Sequence, residues 1–310
     1  MRVEMMGVNL SGGEFTPDAL PGVYNKNYIY PSAEEISAFE KIGMNTIRMP
    51  VLWERIQPEL DQPLNALEMQ RIDKVIADAK ARHMKVIIDL HNYGQYRGEY
   101  IGSSQVPVRS FVNVWEQISQ YYLHEPDVIF GLMNEPHKQE AALWADIDQQ
   151  VINAIRNTGA RQLILAPGTR WTGGHSWNKK GKSISNADAL SALHDPANNL
   201  AIEIHQYFDA NYSGKDSACP DANTGVNSLT GVTEWLRKTQ HYGFLAEFGG
   251  SKEPVCLEAM RNTLSHMQKN SDVWKGWTYW AAGAWLGKYS YSIQSPDVHP
   301  QATVLKEFLP

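Results

Sequence analysis

The chain has 310 residues, of which 43% are hydrophobic and 20% charged, a composition typical of a globular protein with a large core and not of disordered or fibrous proteins. Its formal net charge of −6 argues against nucleic acid or an anionic membrane as partner, since both require a basic surface. No apolar run approaches the roughly 18 residues of a membrane span, so no membrane association is predicted.

Eight short apolar runs are predicted to be buried strands, because bulky apolar residues with little alternation are typical of parallel strands covered on both faces. They occupy residues 5–10, 46–49, 86–90, 128–133, 163–166, 200–205, 244–248 and 276–281. The fourth run breaks abruptly at Asn134, Glu135 and Pro136, and Pro136 cannot continue a ladder because it has no N–H. A carboxyl is therefore delivered at a strand end.

Helical patterns lie between the strands. Ser32 and Glu35 have the spacing of a capping box, which predicts the start of the first helix. Apolar residues then repeat with helical spacing in further segments: at 72, 75, 76 and 79, at 111, 112, 115 and 122, at 143, 147, 154 and 155, at 232, 235, 236 and 239, at 257, 260, 264 and 267, and over 304–308. Residues 170–187 are rich in Gly, Trp, Lys and Ser and are predicted to form a long functional loop.

Eight strands that alternate with helices predict an α/β fold, a single (β/α)8 TIM barrel, with one catalytic domain over residues 1–310. No linker-like or low-complexity segment divides the chain. A doubly wound open sheet is the alternative. It is disfavoured because no G-x-G-x-x-G follows the first strand.

The predicted strand ends carry an unusual set of polar and aromatic residues, which a barrel would gather at one rim. The set comprises Arg48, His91, Asn134, Glu135, His205, Tyr207, Glu247 and Trp280. Two carboxylates across a cleft suit glycoside hydrolysis, in which one is protonated while the other is ionised. Glu203 shares strand parity with His205 and Tyr207 and is predicted to be a buried structural carboxylate with an Arg or His partner.

A metal site is the alternative interpretation of the same residues, with His91, His205, Glu135 and Glu247 as ligands. Metal-dependent barrel hydrolases commonly carry His-x-His at the end of the first strand, whereas this strand ends with Val8, Asn9 and Leu10. We therefore predict neither a metal nor a cofactor.

Six short motifs occur in order along the chain: residues 45–50 (NTIRMP), 89–93 (DLHNY), 134–136 (NEP), 205–209 (HQYFD), 246–250 (AEFGG) and 279–283 (YWAAG). With these motifs the chain resembles the family 5 glycoside hydrolases, close to the endo-β-1,4-glucanases (cellulases). The resemblance implies cleavage of internal β-1,4-glucosidic bonds by a retaining double displacement. A β-glucan would be the substrate.

The resemblance also implies a role for each matching residue. Glu135 would be the acid/base and Glu247 the nucleophile, with Arg48 and Tyr207 holding Glu247. Asn134 would bind the substrate 2-hydroxyl, and Trp280 would be the stacking floor of the cleaved sugar. His91 and His205 would form hydrogen bonds around that sugar.

Aromatic residues on the long loops are predicted to be sugar platforms, because a flat ring can stack on the apolar face of a pyranose. They are Trp171 and Trp177, with Tyr96, Tyr100, Tyr212 and Trp285 as further candidates. In contrast, the helical Trp115, Trp144 and Trp235 are predicted to be core residues. Two other functions stay open: the same chemistry on mannan, xyloglucan or mixed-linkage glucan, and a sugar-binding barrel without catalysis.

Cys219 and Cys256 could form a disulfide, lie as separate thiols or belong to a metal site, although neither has a second ligand at suitable spacing. They lie after the sixth and the seventh strand, in adjacent barrel units. An enzyme acting on an external polymer would mature in an oxidising compartment, so we expect one disulfide. We also expect a secreted monomer, although the chain begins without a signal-peptide pattern.

Overall fold

The computed structural model describes residues 3–310, and eight parallel strands form a closed barrel in them. The strands are β1 (Met5–Leu10), β2 (Thr46–Val51), β3 (Lys85–Leu90), β4 (Val128–Gly131), β5 (Ile164–Pro167), β6 (Leu200–His205), β7 (Tyr242–Glu247) and β8 (Trp274–Ala282). Each strand pairs with its neighbours in the chain, and β8 closes the ring on β1. The predicted (β/α)8 barrel is confirmed.

Nine α-helices occur in the same described residues: α1 (Ala33–Lys41), α2 (Trp53–Ile56), α3 (Ala66–Lys80), α4 (Val108–Tyr121), α5 (Ala141–Asn157), α6 (Asn186–Leu190), α7 (Thr224–Thr239), α8 (Pro254–Lys269) and α9 (Pro300–Lys306). The capping box of Ser32 and Glu35 is formed as predicted. Leu143 was expected in the buried stripe of α5, and that expectation is wrong. The buried face of α5 is centred on Trp144, Asp148 and Ile155, which leaves Leu143 exposed. In residues 3–310 no helix has both the length and the apolar character needed to cross a membrane.

The barrel interior is filled by apolar side chains in its lower part. This core consists of Met5, Ile87, Ile129, Leu165, Ala201, Phe244 and Ala246. Side chains two and four positions further along a strand point to the same side and lie higher in the barrel. On β6, Ala201 belongs to the core, Glu203 lies above it and His205 reaches the rim. Strand parity therefore places a polar layer above the apolar layer inside the barrel.

Larger apolar residues fill the space between strands and helices. Trp115 and Trp144 are buried there, and so is Trp235, as predicted for tryptophans on helices. The loop after β6 is tied to the start of α8 by a disulfide between Cys219 and Cys256, which confirms the expected bridge.

Candidate active site

The predicted site residues meet at the carboxyl end of the barrel, where a TIM barrel places its chemistry. Arg48 lies on β2 and His205 ends β6. Asn134 and Glu135 follow β4, where Glu135 has a φ of +43° as the chain turns away from the sheet. Such a left-handed backbone costs a non-glycine residue on the order of 1 kcal/mol, which marks this turn as a place where the side-chain direction matters.

Glu247 reaches the site through an irregularity of β7. The pairing with β6 shifts so that Leu245 faces Ile204 whereas Glu247 faces His205, which leaves Ala246 as an extra residue. A bulge of this kind re-aims the next side chain. Ala246 still belongs to the apolar interior, and Glu247 is nevertheless held against residues inside the barrel mouth.

Arg48 is fully buried and joins the polar layer together. Its Nη1 donates to Oε2 of Glu247 at 2.8 Å and to Oδ1 of Asn9 at 2.8 Å. Its Nη2 donates to Oδ1 of Asn134 at 2.9 Å and to Oε1 of Glu203 at 3.0 Å. Arg48 therefore holds the amide and the carboxylate in one fixed arrangement, as its planar, multiply donating guanidinium permits.

Glu247 lies in surroundings that favour its ionised form. Burial alone would raise its pKa, but the positive charges of His205 and Arg48 act against it. The hydroxyl of Tyr207 donates to Oε1 of Glu247 at 2.6 Å and stabilises the carboxylate further. Together these groups lower the pKa of Glu247 to about 2, so that it is an ionised carboxylate near neutral pH.

Glu135 is shifted in the opposite direction. Burial, followed by the negative charge of Glu247, raises the pKa of Glu135 above its usual value, while the nearby His205 opposes that rise. A carboxylate oxygen of Glu135 and one of Glu247 lie within 4.8 Å of each other. Two carboxyl groups this close, one favouring its proton and the other its charge, are arranged for acid–base and nucleophilic work on one bond.

His205 connects the two carboxyl groups with the layer below. Its Nδ1 lies 2.7 Å from Oε2 of Glu135, and its Nε2 lies 3.0 Å from Oε1 of Glu203. Burial opposes a charged ring, but the surrounding carboxylates, with Glu247 first among them, outweigh it and raise the pKa of His205 to about 10.

The positive charge of His205 argues against the alternative interpretation of these residues as a metal site. Ligand atoms of Glu135, His205 and Glu247 do lie within 4.8 Å of one another. However, a protonated imidazole has no lone pair to offer a metal ion. Both ring nitrogens of His205 face carboxylate oxygens as donors instead, so this set fits an ion-pair network better than a metal centre.

His91 and Trp280 contact each other through their rings. Their rings stack with centroids 5.6 Å apart and planes 14° from parallel. The Nδ1 of His91 lies 2.7 Å from Oδ2 of Asp89, and its Nε2 lies 3.2 Å from Nδ2 of Asn134. Asn134 is buried, with its amide fixed between His91 and Arg48.

Two cavities that both border Tyr93 form the two arms of one cleft beside these carboxyl groups. The first cavity, which we call the aromatic arm, measures about 540 Å³ and is lined by Glu135, His137, Trp171, His175, Tyr207 and Tyr212 among others. The second, which we call the acidic arm, measures about 600 Å³ and is lined by Glu14, Asp18, Glu54, His91, Asn92 and Arg97 among others. Of the two carboxyl groups, Glu135 is the one that lines the aromatic arm.

The two tryptophans predicted to be sugar platforms differ in the structure. Trp171 is 53% exposed and stacks on His137, with ring centroids 4.7 Å apart and planes 2° from parallel. Trp177 is 0% exposed, so its prediction as a platform is wrong. Its ring packs edge-on against Trp235, because this part of the loop lies on α7. Tyr96 is likewise buried, against Trp53.

Several residues of the site were not predicted. Asn9 accepts from Arg48, and Asp89 pairs with both Arg48 and His91. Strand parity could have identified Asp89, since it lies two positions before His91 on β3. His137 and His175 could not be identified, because their stacking on Trp171 and Tyr212 is a property of the folded loops.

Comparison with known proteins gives a consistent result. The family model described as cellulase (glycosyl hydrolase family 5) matches residues 4–283. The endo-β-1,4-glucanase B of Aspergillus niger is 34% identical over 299 residues, which are 95% of this chain and 86% of that protein. Two solved structures are also similar over 99% of this chain. XacCel5A in complex with cellopentaose shares 46% identity with a TM-score of 0.97 over 99% of its own chain. The Pseudomonas stutzeri endoglucanase Cel5A in complex with cellobiose shares 34% with a TM-score of 0.90 over 92% of its chain.

Proposed function

Because this chain belongs to glycosyl hydrolase family 5, the cellulase family, we propose that Glu135 and Glu247 are its catalytic pair. The chain is an endo-β-1,4-glucanase, in keeping with relatives of that activity at 33 to 34% identity over most of its length. It hydrolyses internal bonds of cellulose and related β-glucans by a double displacement that retains the anomeric configuration.

In the first step, the Glu247 carboxylate attacks the anomeric carbon, and Glu135 gives its proton to the departing glycosidic oxygen. The bond to that oxygen breaks, and a covalent ester between the sugar and Glu247 forms. His205, which contacts Glu135 through Nδ1, stabilises the carboxylate that Glu135 becomes.

In the second step, Glu135 accepts a proton from water, and the water oxygen attacks the same carbon. Glu247 leaves as a carboxylate, and Arg48 and Tyr207 stabilise the charge that returns to it.

One observation carries the assignment of roles: the two carboxyl groups lie within 4.8 Å, with a raised pKa at Glu135 and a pKa of about 2 at Glu247. Retaining enzymes need carboxyl groups about 5 Å apart, whereas inverting enzymes leave room for a water between more distant groups. Proton NMR of the first product released from a β-glucan should show the β-anomer. The α-anomer as first product would contradict the pair.

The rest of the cleft supports a substrate orientation. We infer that the sugar attacked by Glu247 lies over Trp280 and His91 and continues into the acidic arm. The leaving part of the chain lies in the aromatic arm beside Glu135. Asn134 would donate to the 2-hydroxyl of the attacked sugar. Arg48 donates to its Oδ1 and so leaves the Nδ2 group as the donor.

A β-1,4-glucan suits this cleft because it is a flat ribbon that can stack on Trp280 and on the exposed Trp171. Cleavage rates on cellulose derivatives, mannan, xyloglucan and mixed-linkage glucan test this preference. Faster cleavage of β-mannan than of β-glucan would overturn it.

We also propose that residues 1–310 form one catalytic domain that acts as a secreted monomer. The disulfide between Cys219 and Cys256 supports an oxidising compartment, and the barrel unites the described residues 3–310 around a shared core. Light scattering should give a mass near 34.9 kDa, and calorimetry should give one unfolding transition.

A further inference from the structure

Tyr93 follows β3 and lies where the two arms of the cleft meet. It lines both the acidic arm and the aromatic arm, and its side chain is 38% exposed. The mechanism described above gives it no role. A residue in this position borders both the His91 side and the Glu135 side of the cleft.

The backbone of Tyr93 is strained. Its φ is +53°, and the following Gly94 has a φ of +75°. A bulky side chain rarely adopts this left-handed conformation, which costs about 1 kcal/mol or more and which glycine or asparagine would tolerate better. Strain of this kind concentrates at functional sites, where the direction of a side chain is worth its cost.

The ring of Tyr93 is held by two histidines. It meets His91 edge-on, with centroids 5.3 Å apart and planes at 81°, and His137 at 6.3 Å and 70°. The Tyr93 hydroxyl oxygen lies 3.4 Å from Nε2 of His91. That distance is long for a hydrogen bond, so the hydroxyl has a weak partner that a sugar oxygen could replace.

The chemistry of its surroundings makes the hydroxyl a donor. Burial opposes a charged His91 ring, but the Asp89 carboxylate beside its Nδ1 raises the pKa of His91 above its usual value, so this ring does not take the proton of the phenol. Partial burial of the residue, then the charges of Glu135 and Glu247, raise the pKa of Tyr93 well above its usual value. The phenol therefore keeps its proton while the enzyme works.

We propose that Tyr93 contacts the attacked sugar directly, its hydroxyl donating a hydrogen bond to one hydroxyl of that sugar. The His91 side of the cleft is assigned to this sugar because His91, which lines that side, stacks on Trp280, and in this respect the inference rests on the proposed function. Tyr93 is thus a further substrate-binding residue of the reaction.

The first test is Tyr93→Phe, which keeps the ring and its packing. We expect kcat/KM to fall about tenfold on cellopentaose and equally on a dinitrophenyl cellobioside, which places no sugar in the aromatic arm. The temperature of half-unfolding should not change. The matched control is Tyr121→Phe, an exposed tyrosine on α4 that should leave both rates unaltered. An unchanged rate, a loss confined to cellopentaose, or a loss accompanied by a lower unfolding temperature would each overturn the proposal.

The second test identifies the sugar hydroxyl. Aryl cellobiosides that lack the 2-, 3- or 6-hydroxyl of the attacked sugar are compared with the parent on both the unaltered protein and Tyr93→Phe. If Tyr93 donates to one of these hydroxyls, removing that hydroxyl from the substrate should lower kcat/KM at least fivefold less in Tyr93→Phe than in the unaltered protein. Full additivity at all three positions would refute the contact. Failure of the unaltered protein on every β-glucan would instead refute the proposed function, so the two failures are distinguishable.

Discussion

Two buried cations, Arg48 and His205, both contact Glu203, at 3.0 Å in each case. Glu203 is the buried structural carboxylate that its strand position predicted. Glu203 contacts Nη2 of Arg48 and Nε2 of His205, which leaves Nη1 of Arg48 for Glu247 and Nδ1 of His205 for Glu135. Removing one member of such a network is costly, because its partners are left charged and buried. The network therefore fixes positions as well as charges.

The roles proposed for Glu135 and Glu247 can be separated by substrate. Glu247→Ala removes the proposed nucleophile and should abolish turnover of every substrate. Glu135→Ala should abolish hydrolysis of polymer but keep substantial release of dinitrophenol from a dinitrophenyl cellobioside, whose leaving group needs no proton. Burst kinetics would check this, since Glu135→Ala should accumulate the covalent intermediate. Equal loss on both substrates in Glu135→Ala would contradict the assignment.

Tyr207 offers a test through the pH profile. Its hydroxyl stabilises the ionised form of Glu247, whose pKa is lowered to about 2, so activity should be lost as the pH falls through that value. In Tyr207→Phe the pKa of Glu247 rises, and the acidic limb of kcat/KM should move upward by about one pH unit or more. Tyr242→Phe, at the other end of β7, is the control and should leave the limb in place. A lower rate without movement of the acidic limb would show that Tyr207 does not act by lowering the pKa of Glu247.

At the scale of elements, strand parity explains what the sequence could predict. Ile87 and Asp89 of β3 share one side of the strand with His91, which follows it, so the rim residue could be predicted from the buried run beneath it. The bulge at Ala246 had no such signal. Pairing register depends on the neighbouring strand, and only the folded sheet shows that Glu247 turns inward there.

The loop between β5 and α6 shows a second limit. Trp171 and Trp177 are both aromatic residues in one polar segment, and composition does not distinguish them. Whether each is buried or exposed depends on a long-range contact. Trp177 is buried because it packs on Trp235 of α7, which lies far along the chain. Periodicity carries no information about where an irregular loop folds back.

These two tryptophans give a matched pair of variants. Trp171→Ala should lower kcat/KM severalfold on cellopentaose and less on an aryl cellobioside, because its stack with the leaving chain contributes on the order of 1 kcal/mol. Trp177→Ala should destabilise the fold by about 3–5 kcal/mol, since a buried indole is lost. Steady-state rates and thermal unfolding of both variants would check this. Substrate-length dependence in Trp177→Ala, or its absence in Trp171→Ala, would contradict these positions.

At the scale of the whole molecule, closing the ring brings residues from β2 and β7 into one network, although 199 positions separate Arg48 and Glu247. One buried carboxyl group outside this network has no role in the proposed mechanism. Asp148 lies on the buried face of α5, and within residues 3–310 neither of its oxygens has a hydrogen-bond partner. Burial, followed by the charge of Glu203, raises the pKa of Asp148 well above its usual value.

Asp148 should therefore make the stability of the whole barrel depend on pH. A raised pKa in the folded state means that folding favours the protonated form. The stabilisation is complete below the unfolded pKa of about 3.9 and is lost as the pH rises towards the folded pKa, by up to about 1.4 kcal/mol per pH unit. Asp148→Asn removes this proton exchange, so its free energy of unfolding should fall less steeply with pH than that of the unaltered protein, by about that slope. Urea unfolding between pH 4 and pH 8 measures the difference, and Asp146→Asn on the exposed side of α5 is the control. Parallel stability curves for Asp148→Asn and the unaltered protein would mean that Asp148 is ionised within the fold.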